Sequence, residues 1–264
     1  MKKTANTYSQ LIEAIFFDYY KKGITEIPFE REELVAKANH LEIKLPKNLG
    51  DVLYSFRYRY ALPKKIVDTA PASKEWVIKN TGRSQYKFVL IKEIAIVPSS
   101  ILSETKVLNA TPGIIARYAM SDEQALLAKI RYNRLVDIFT GYTCYSLQNH
   151  FRTTVSSIGQ IETDEVYVGI DKRGVHYVIP VQAKGGNDKL GVVQIEQDFE
   201  MAKEKFATLI CKPIAAQFMK DGKIALFEFE MQGGEITVAS EKHYRLVEPH
   251  ELSDDELDQY KTRL

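Results

Sequence analysis

Cysteine is nearly absent, and the two present, Cys144 and Cys211, have no Cys-x-x-Cys spacing, so neither a disulfide framework nor a thiolate zinc site is supported. No window of about 18 uncharged apolar residues exists, which leaves no membrane-spanning candidate. The N-terminal stretch turns polar soon after Tyr20 and has no small-residue cleavage site, so a cytoplasmic chain is expected. There is no glycine-rich phosphate loop, since Gly185-Gly186 is too short to form one, and no His-Glu-x-x-His pattern. Internal repeats and low-complexity segments are missing too, which removes solenoids and disordered chains. What remains is a 264-residue chain, 45% hydrophobic and 27% charged, long enough for two domains with separate cores.

The net charge of +1 hides an uneven distribution. Residues 1–100 hold 17 Lys and Arg against 11 Asp and Glu, residues 101–180 hold 8 against 8, and residues 181–264 hold 11 against 16. A basic first third joined to an acidic last third fits a polyanion-binding module attached to something else. Solvated charges scattered by chance would give the same count.

Apolar spacing predicts a helix over Tyr8 to Tyr20, a second from Glu30 to Leu41, and a third from Asn48 to Tyr60 with Leu49, Val52, Leu53 and Phe56 inward. Glu75–Lys79 and Gln85–Lys92, separated by the turn-prone 80–84, read as a hairpin. Three helices followed by a hairpin with a basic tip resemble a winged helix-turn-helix domain, covering residues 1–95. The resemblance implies that the third helix reads a DNA groove, with Arg57 and Arg59 near its end, while Lys79, Arg83 and Lys87 meet phosphates.

Residues 96–118 read as a linker, and 119–264 as a second domain of α/β class. There a capping box at Ser121 opens a helix to Phe139, which ends at Gly141 and is a candidate dimer surface. A shorter helix is predicted from Thr143 to Val155, then strands at Gln160–Asp171 and Val175–Lys184. A helix from Val193 to Leu209, strands at Ala225–Met231 and Ile236–Ala239, and an acidic run at Glu248–Asp258 complete the reading.

The two central strands carry the chemistry. Lys172-Arg173-Gly174 is a three-residue hairpin loop, and pairing Asp171 with Val175 sets a register in which facing positions sum to 346. Asp164 then lies across from Gln182 and Glu162 across from Lys184, and alternation places all four on one face. Oxygen ligands a strand apart can share a hard divalent cation, and the adjacent lysine can orient a water or offset charge on a phosphate. A structural ion pair is the plain alternative for the same residues.

Asp164 followed by Gln182-x-Lys184 resembles the PD-(D/E)xK nuclease motif, in the Gln variant of Mrr-like restriction enzymes, over residues 120–245. Thr163 replaces the motif's Pro, and Gln182 supplies no negative charge, for which Glu162 can compensate. The resemblance implies a restriction-endonuclease-like core, a mixed sheet flanked by helices, and a metal-dependent endodeoxyribonuclease. Asp164, Gln182 and Glu162 would hold Mg²⁺, with Lys184 as catalytic lysine. Arg152, read on the helix before the motif with Gln148 and His150, would hold a phosphate of double-stranded DNA, and Gln194, read with Gln197 on the helix after it, would touch the catalytic lysine or the scissile phosphate. Either a type II or a methylation-dependent restriction enzyme fits. A homodimer is expected for cutting two strands. Gln182→Glu, restoring the commoner acid, is expected to keep activity. The alternatives are a non-catalytic winged-helix regulator with a degenerate nuclease fold, and a junction or repair nuclease.

Overall fold

The structure, a computed structural model, describes all residues except 1, 48, 59, 83, 93–95, 119–122, 186–190, 220, 263 and 264, together with the side chains of 2–7. Asn48, Arg59, Arg83 and the Ser121 capping box therefore lie outside the described residues. The chain divides into two compact units. The first is 1–95 with 153–161, and the second is 96–152 with 162–264.

In the first unit α1 (Lys2–Tyr19) precedes β1 (Glu26–Glu30), α2 (Arg31–His40), α3 (Gly50–Tyr58), a single turn α4 (Lys64–Val67), β2 (Lys74–Gly82) and β3 (Gln85–Lys92). The sheet order is β1-β3-β2, and all pairs are antiparallel. β1 is missing from the sequence reading because Pro28 suggested a break. An edge strand tolerates that proline, and Ile27 and Phe29 alternate inward while Glu26 and Glu30 stay exposed. The core is aromatic: Phe16 meets Trp76 and Phe88 edge-to-face, both at 5.1 Å between centroids.

In the second unit the stretch 96–118, expected as a linker, contains β4 (Glu104–Leu108) and α5 (Gly113–Tyr118). β4 pairs parallel with a strand at the far end of the chain, a long-range partner that local composition cannot reveal. The helix expected from Ser121 to Phe139 is two, α6 (Glu123–Tyr132) and α7 (Leu135–Thr140). Buried Asn133 forces the break. Its Nδ2 donates to the Lys129 carbonyl at 2.8 Å, its Oδ1 accepts from Ala110 N at 2.6 Å, and Arg134 then takes a left-handed φ of 51°. Leu126, Leu127, Ile130, Leu135 and Val136 are all buried in the unit's own core, so this face is not available to a partner chain.

The predicted helix Thr143–Val155 is instead the strand β5 (Thr143–Val155). It is followed by β6 (Gly159–Ile170), β7 (His176–Lys184), α8 (Val192–Lys205), β8 (Ile210–Cys211), β9 (Ile214–Phe218), β10 (Ile224–Gln232), β11 (Glu235–Val247) and α9 (Asp254–Lys261). β6 is largely buried and needs a ladder partner on each side, which β5 supplies despite its weak alternation. The order β4-β11-β10-β9-β7-β6-β5, with β8 beside β7, makes a mixed eight-stranded sheet flanked by helices. β7 and β9 run parallel, and the chain between them contains α8, the crossover that a parallel pair requires.

No described helix is long and apolar enough to cross a membrane.

Candidate functional site

The β6–β7 register is the one the turn dictates. Glu165 faces Val181, Ile170 faces His176, and Asp171 N donates to the Val175 carbonyl at 3.1 Å. The ladder stops at Glu165, so the expected pairings of Asp164 with Gln182 and of Glu162 with Lys184 are not part of it. Beyond it Ala183 N donates to Asp164 Oδ2 at 2.8 Å, so a side chain occupies the place of a strand carbonyl and the two strands part. On its other side β7 stays paired, with Gln182 facing Ala215 and Lys184 facing Gln217 on β9. The sheet thus opens beside Asp164 while the strand carrying Gln182 and Lys184 stays fixed.

Strict alternation fails at this opening. Thr163, expected on the face away from Gln182, shares a partner with it. Thr163 Oγ1 donates to Asp198 Oδ1 at 2.6 Å, and Gln182 Nε2 lies 3.1 and 3.0 Å from the two Asp198 oxygens. Asp198, on α8, is about 1% exposed, as is Gln182. Burial pushes the Asp198 carboxyl up to about 7, against the hydrogen bonds from Thr163 and Gln182 and with the charge of nearby Asp164 adding to the rise. Gln194, also on α8, sets its Nε2 3.5 Å from Gln182 Oε1, so this expected site residue does reach the motif.

Burial also raises the pKa of Asp164. The Ala183 hydrogen bond and the Lys184 charge oppose the shift, and Glu123 and Glu162 add to it. Asp164, Lys184, Glu162 and the first turn of α6 are therefore neighbours in space. Glu162 is tied to arginine: its Oε2 lies 3.1 Å from Arg152 Nε, and its Oε1 3.3 Å from His150 Nδ1. Arg152 and His150 sit on strand β5, not on the helix expected there, and His150 adopts a left-handed φ of 48°. Glu165, fully buried, belongs to a structural group. Arg131 Nε and Nη2 donate to it at 2.8 and 2.9 Å, and Ser146 Oγ at 2.5 Å.

Asp164 has one carboxylate oxygen beyond the Ala183 bond, whereas the Gln182 amide oxygen lies 3.5 Å from Gln194 Nε2. Among the described residues no group of three or more His, Cys, Asp or Glu could form a protein-only cage. Magnesium characteristically binds through one or two carboxylates and keeps the rest of its shell for waters and phosphate.

Of the expected DNA contacts in the first unit, Lys79 and Lys87 face each other across β2 and β3, and Lys87 is paired with Glu26 at 2.8 Å. Arg57 is half-buried. Its guanidinium lies 4.8 Å over the Tyr58 ring, and its Nε and one Nη are enclosed with no hydrogen-bond partner.

The sequence reading missed Asp198 and Glu123. Asp198 was legible in part, as a carboxylate placed four residues after Gln194 within the apolar stripe of Ile195, Met201 and Ala202. Glu123 had no such signal, because an acidic residue in a first turn is ordinary. No family model, curated protein or solved structure matches the chain.

Proposed function

We propose that the chain is a metal-dependent endodeoxyribonuclease, a restriction enzyme whose second unit, with a restriction-endonuclease-like core, cuts double-stranded DNA and whose first unit, a winged-helix-like module, binds it. One observation supports this most: Asp164 is held by the Ala183 N–H against the strand end that carries Gln182 and Lys184, at the point where the central sheet opens. A purely structural aspartate would be expected to find its cation within bonding distance, as Glu165 does with Arg131. Asp164 instead lies buried with Lys184 as its favourable charge and two carboxylates as unfavourable ones.

In this reading Asp164 and the Gln182 side-chain amide oxygen would hold Mg²⁺, which would supply Lewis acidity at the scissile phosphate and lower the pKa of a water. Lys184 orients that water and offsets the negative charge growing on the phosphate. Glu162 serves less as a ligand than as the partner that positions Arg152 for a phosphate. On the first unit Lys79 and Lys87 supply positive charge along one hairpin, in keeping with the basic bias of residues 1–100. The homodimer, cytoplasmic location and choice between unmodified and methylated sites belong to the proposal as well.

The test is incubation of the purified chain with methylated and unmethylated plasmid, with and without Mg²⁺, followed by sequencing of the ends. Mg²⁺-dependent breaks at a recurrent sequence are expected. DNA binding with no cleavage on either plasmid would favour the non-catalytic regulator.

A further inference from the structure

A sheet ends in two edge strands, and each bares a row of backbone N–H and C=O groups with which another strand can pair. The eight-stranded sheet treats its two edges differently. On β4 the Lys106 N–H donates to the Tyr260 hydroxyl of α9 at 2.9 Å, and the Lys106 ammonium lies 2.7 Å from Glu256, so a helix covers that edge. At the opposite end of the strand order, β5 has β6 as its single strand neighbour among the described residues. There Tyr145 to His150 are exposed, and Tyr145 and Leu147 keep 66% and 53% of their surface open. Ser146 Oγ donates to Glu165, and Cys144 Sγ lies 3.7 Å from Thr140 Oγ1. Those two side chains therefore point toward α6 and α7, and Tyr145 and Leu147 share the other face.

The composition of this edge selects what can pair with it. From Thr143 to Asn149 there is no Asp, Glu, Lys, Arg, His or Pro, in a chain that is 27% charged. A nucleic acid finds no counter-charge on such a stretch, whereas a second copy of the same strand meets no like charge. The lysine, proline or inward charge that commonly guards a bare edge is missing from it. The run ends before His150, whose φ of 48° leaves the extended region, so its midpoint is Ser146. An antiparallel strand set against itself is two-fold symmetric. Centred on Ser146, the pair brings each Tyr145 ring against Leu147 of the second copy, an aromatic and aliphatic cross-strand contact. Seven residues span only about 24 Å, short of what a stable pair buries. A groove of about 560 Å³ adjoins the strand at Thr143 and is lined by Tyr132 and Ile138, both exposed, while its Arg134 is neutralised by Asp137. It carries the surface without net charge on past the start of β5.

We propose that β5 is a homodimer interface, at which two copies pair antiparallel through Thr143–Asn149 and join their sheets into one. This rests on the preceding reading, in which a double-strand cut calls for two copies, and adds where they meet.

The test is sedimentation velocity of the full chain at about 10 μM without DNA. Wild type is expected at twice the chain mass. Tyr145→Lys with Leu147→Lys gathers four ammonium groups about the two-fold axis and should weaken the dimer at least about a hundredfold. A second variant, Tyr145→Cys with Leu147→Cys, reads the register. Facing Cα atoms about 4.5–5.5 Å apart fall within the disulfide range, so mild oxidation should give a covalent dimer on a non-reducing gel, and wild type should give none.

A wild-type chain that stays monomeric, or a lysine variant that stays dimeric, overturns the interface. A dimeric wild type whose cysteine variant forms no covalent dimer overturns it too. Should the lysine variant fail to fold, the cysteine variant decides alone: a covalent dimer supports the interface and a monomer overturns it. Plasmid cleavage on the same samples separates this from the nuclease reading. Dimers through β5 that never cut DNA leave the interface standing and the nuclease reading fallen; a monomeric wild type that cuts does the reverse.

Discussion

The hairpin of β6 and β7 has an aspartate at each end, and the two are treated in opposite ways. At the turn, Asp171 accepts from Arg173 N at 2.8 Å and Val175 N at 3.0 Å, from the Arg173 guanidinium at 2.9 and 3.0 Å, and from Tyr177 OH at 3.2 Å. At the open end, Asp164 accepts from Ala183 N and has a lysine in its electrostatic surroundings. Desolvation acts upward on both acids. At Asp171 the hydrogen bonds overcome it and hold the carboxyl at about 2, whereas at Asp164 burial prevails and the pKa is raised. A carboxylate satisfied by its own chain closes a turn. One left short of donors, with a lysine nearby, retains lone pairs for something from outside.

The sharpest way to break this comparison is Lys184→Ala. Loss of the lysine should lower cleavage by about a thousandfold while leaving DNA binding within severalfold, because it acts on charge that develops at the phosphate and binding is spread over many contacts. Single-turnover cleavage beside a gel-shift titration checks both. Cleavage at the wild-type rate would remove Lys184 from the chemistry.

A large effect of a different kind is expected at Arg131. Arg131→Met strands Glu165 in the core with no cation, and chemical denaturation should show a loss of about 3–5 kcal/mol. Removing both partners together, Arg131→Met with Glu165→Gln, should recover part of that loss. A cost below about 1 kcal/mol for the single change would mean that water reaches Glu165.

The smallest effect belongs to Asp171, and its sign follows from the lowered pKa. An acid whose pKa is depressed by folding stabilises the fold above its unfolded value of about 4 and loses that contribution as pH falls through about 2. Melting temperatures of wild type and Asp171→Asn should therefore differ at neutral pH and converge between about pH 4 and about pH 2. A difference that stays constant across that interval would contradict the assignment.

How much of this could be read from the residues depends on whether the cause was local. The β6–β7 register followed from one glycine-containing turn, and it holds along the ladder from Ile170 to Glu165. The apolar faces of α1 and α3 followed from 3.6-residue spacing, and Leu11, Ile12, Ile15, Phe16, Val52, Leu53 and Phe56 are indeed buried. β4 is a strand because of β11 beside it, a neighbour distant in sequence that leaves no mark on local periodicity, whereas β5 lies beside the next strand, β6, but is mostly exposed and shows little alternation. The parting of the strands at Asp164 was hidden for the same reason, since it depends on a side chain displacing a ladder bond. Asp198 shows the middle case: its place in an apolar stripe was visible, but its bond to Gln182 across the fold was not.

The most direct test sets the two aspartates side by side. Cleavage of supercoiled plasmid in a Mg²⁺ titration would be measured for wild type, Asp164→Asn and Asp171→Asn at a temperature where all three are folded. The account predicts Mg²⁺-dependent cleavage by wild type, cleavage within about threefold of it for Asp171→Asn, and a loss of about a thousandfold or more for Asp164→Asn. Equal cleavage by both variants, or none by wild type at any Mg²⁺ concentration, would contradict it.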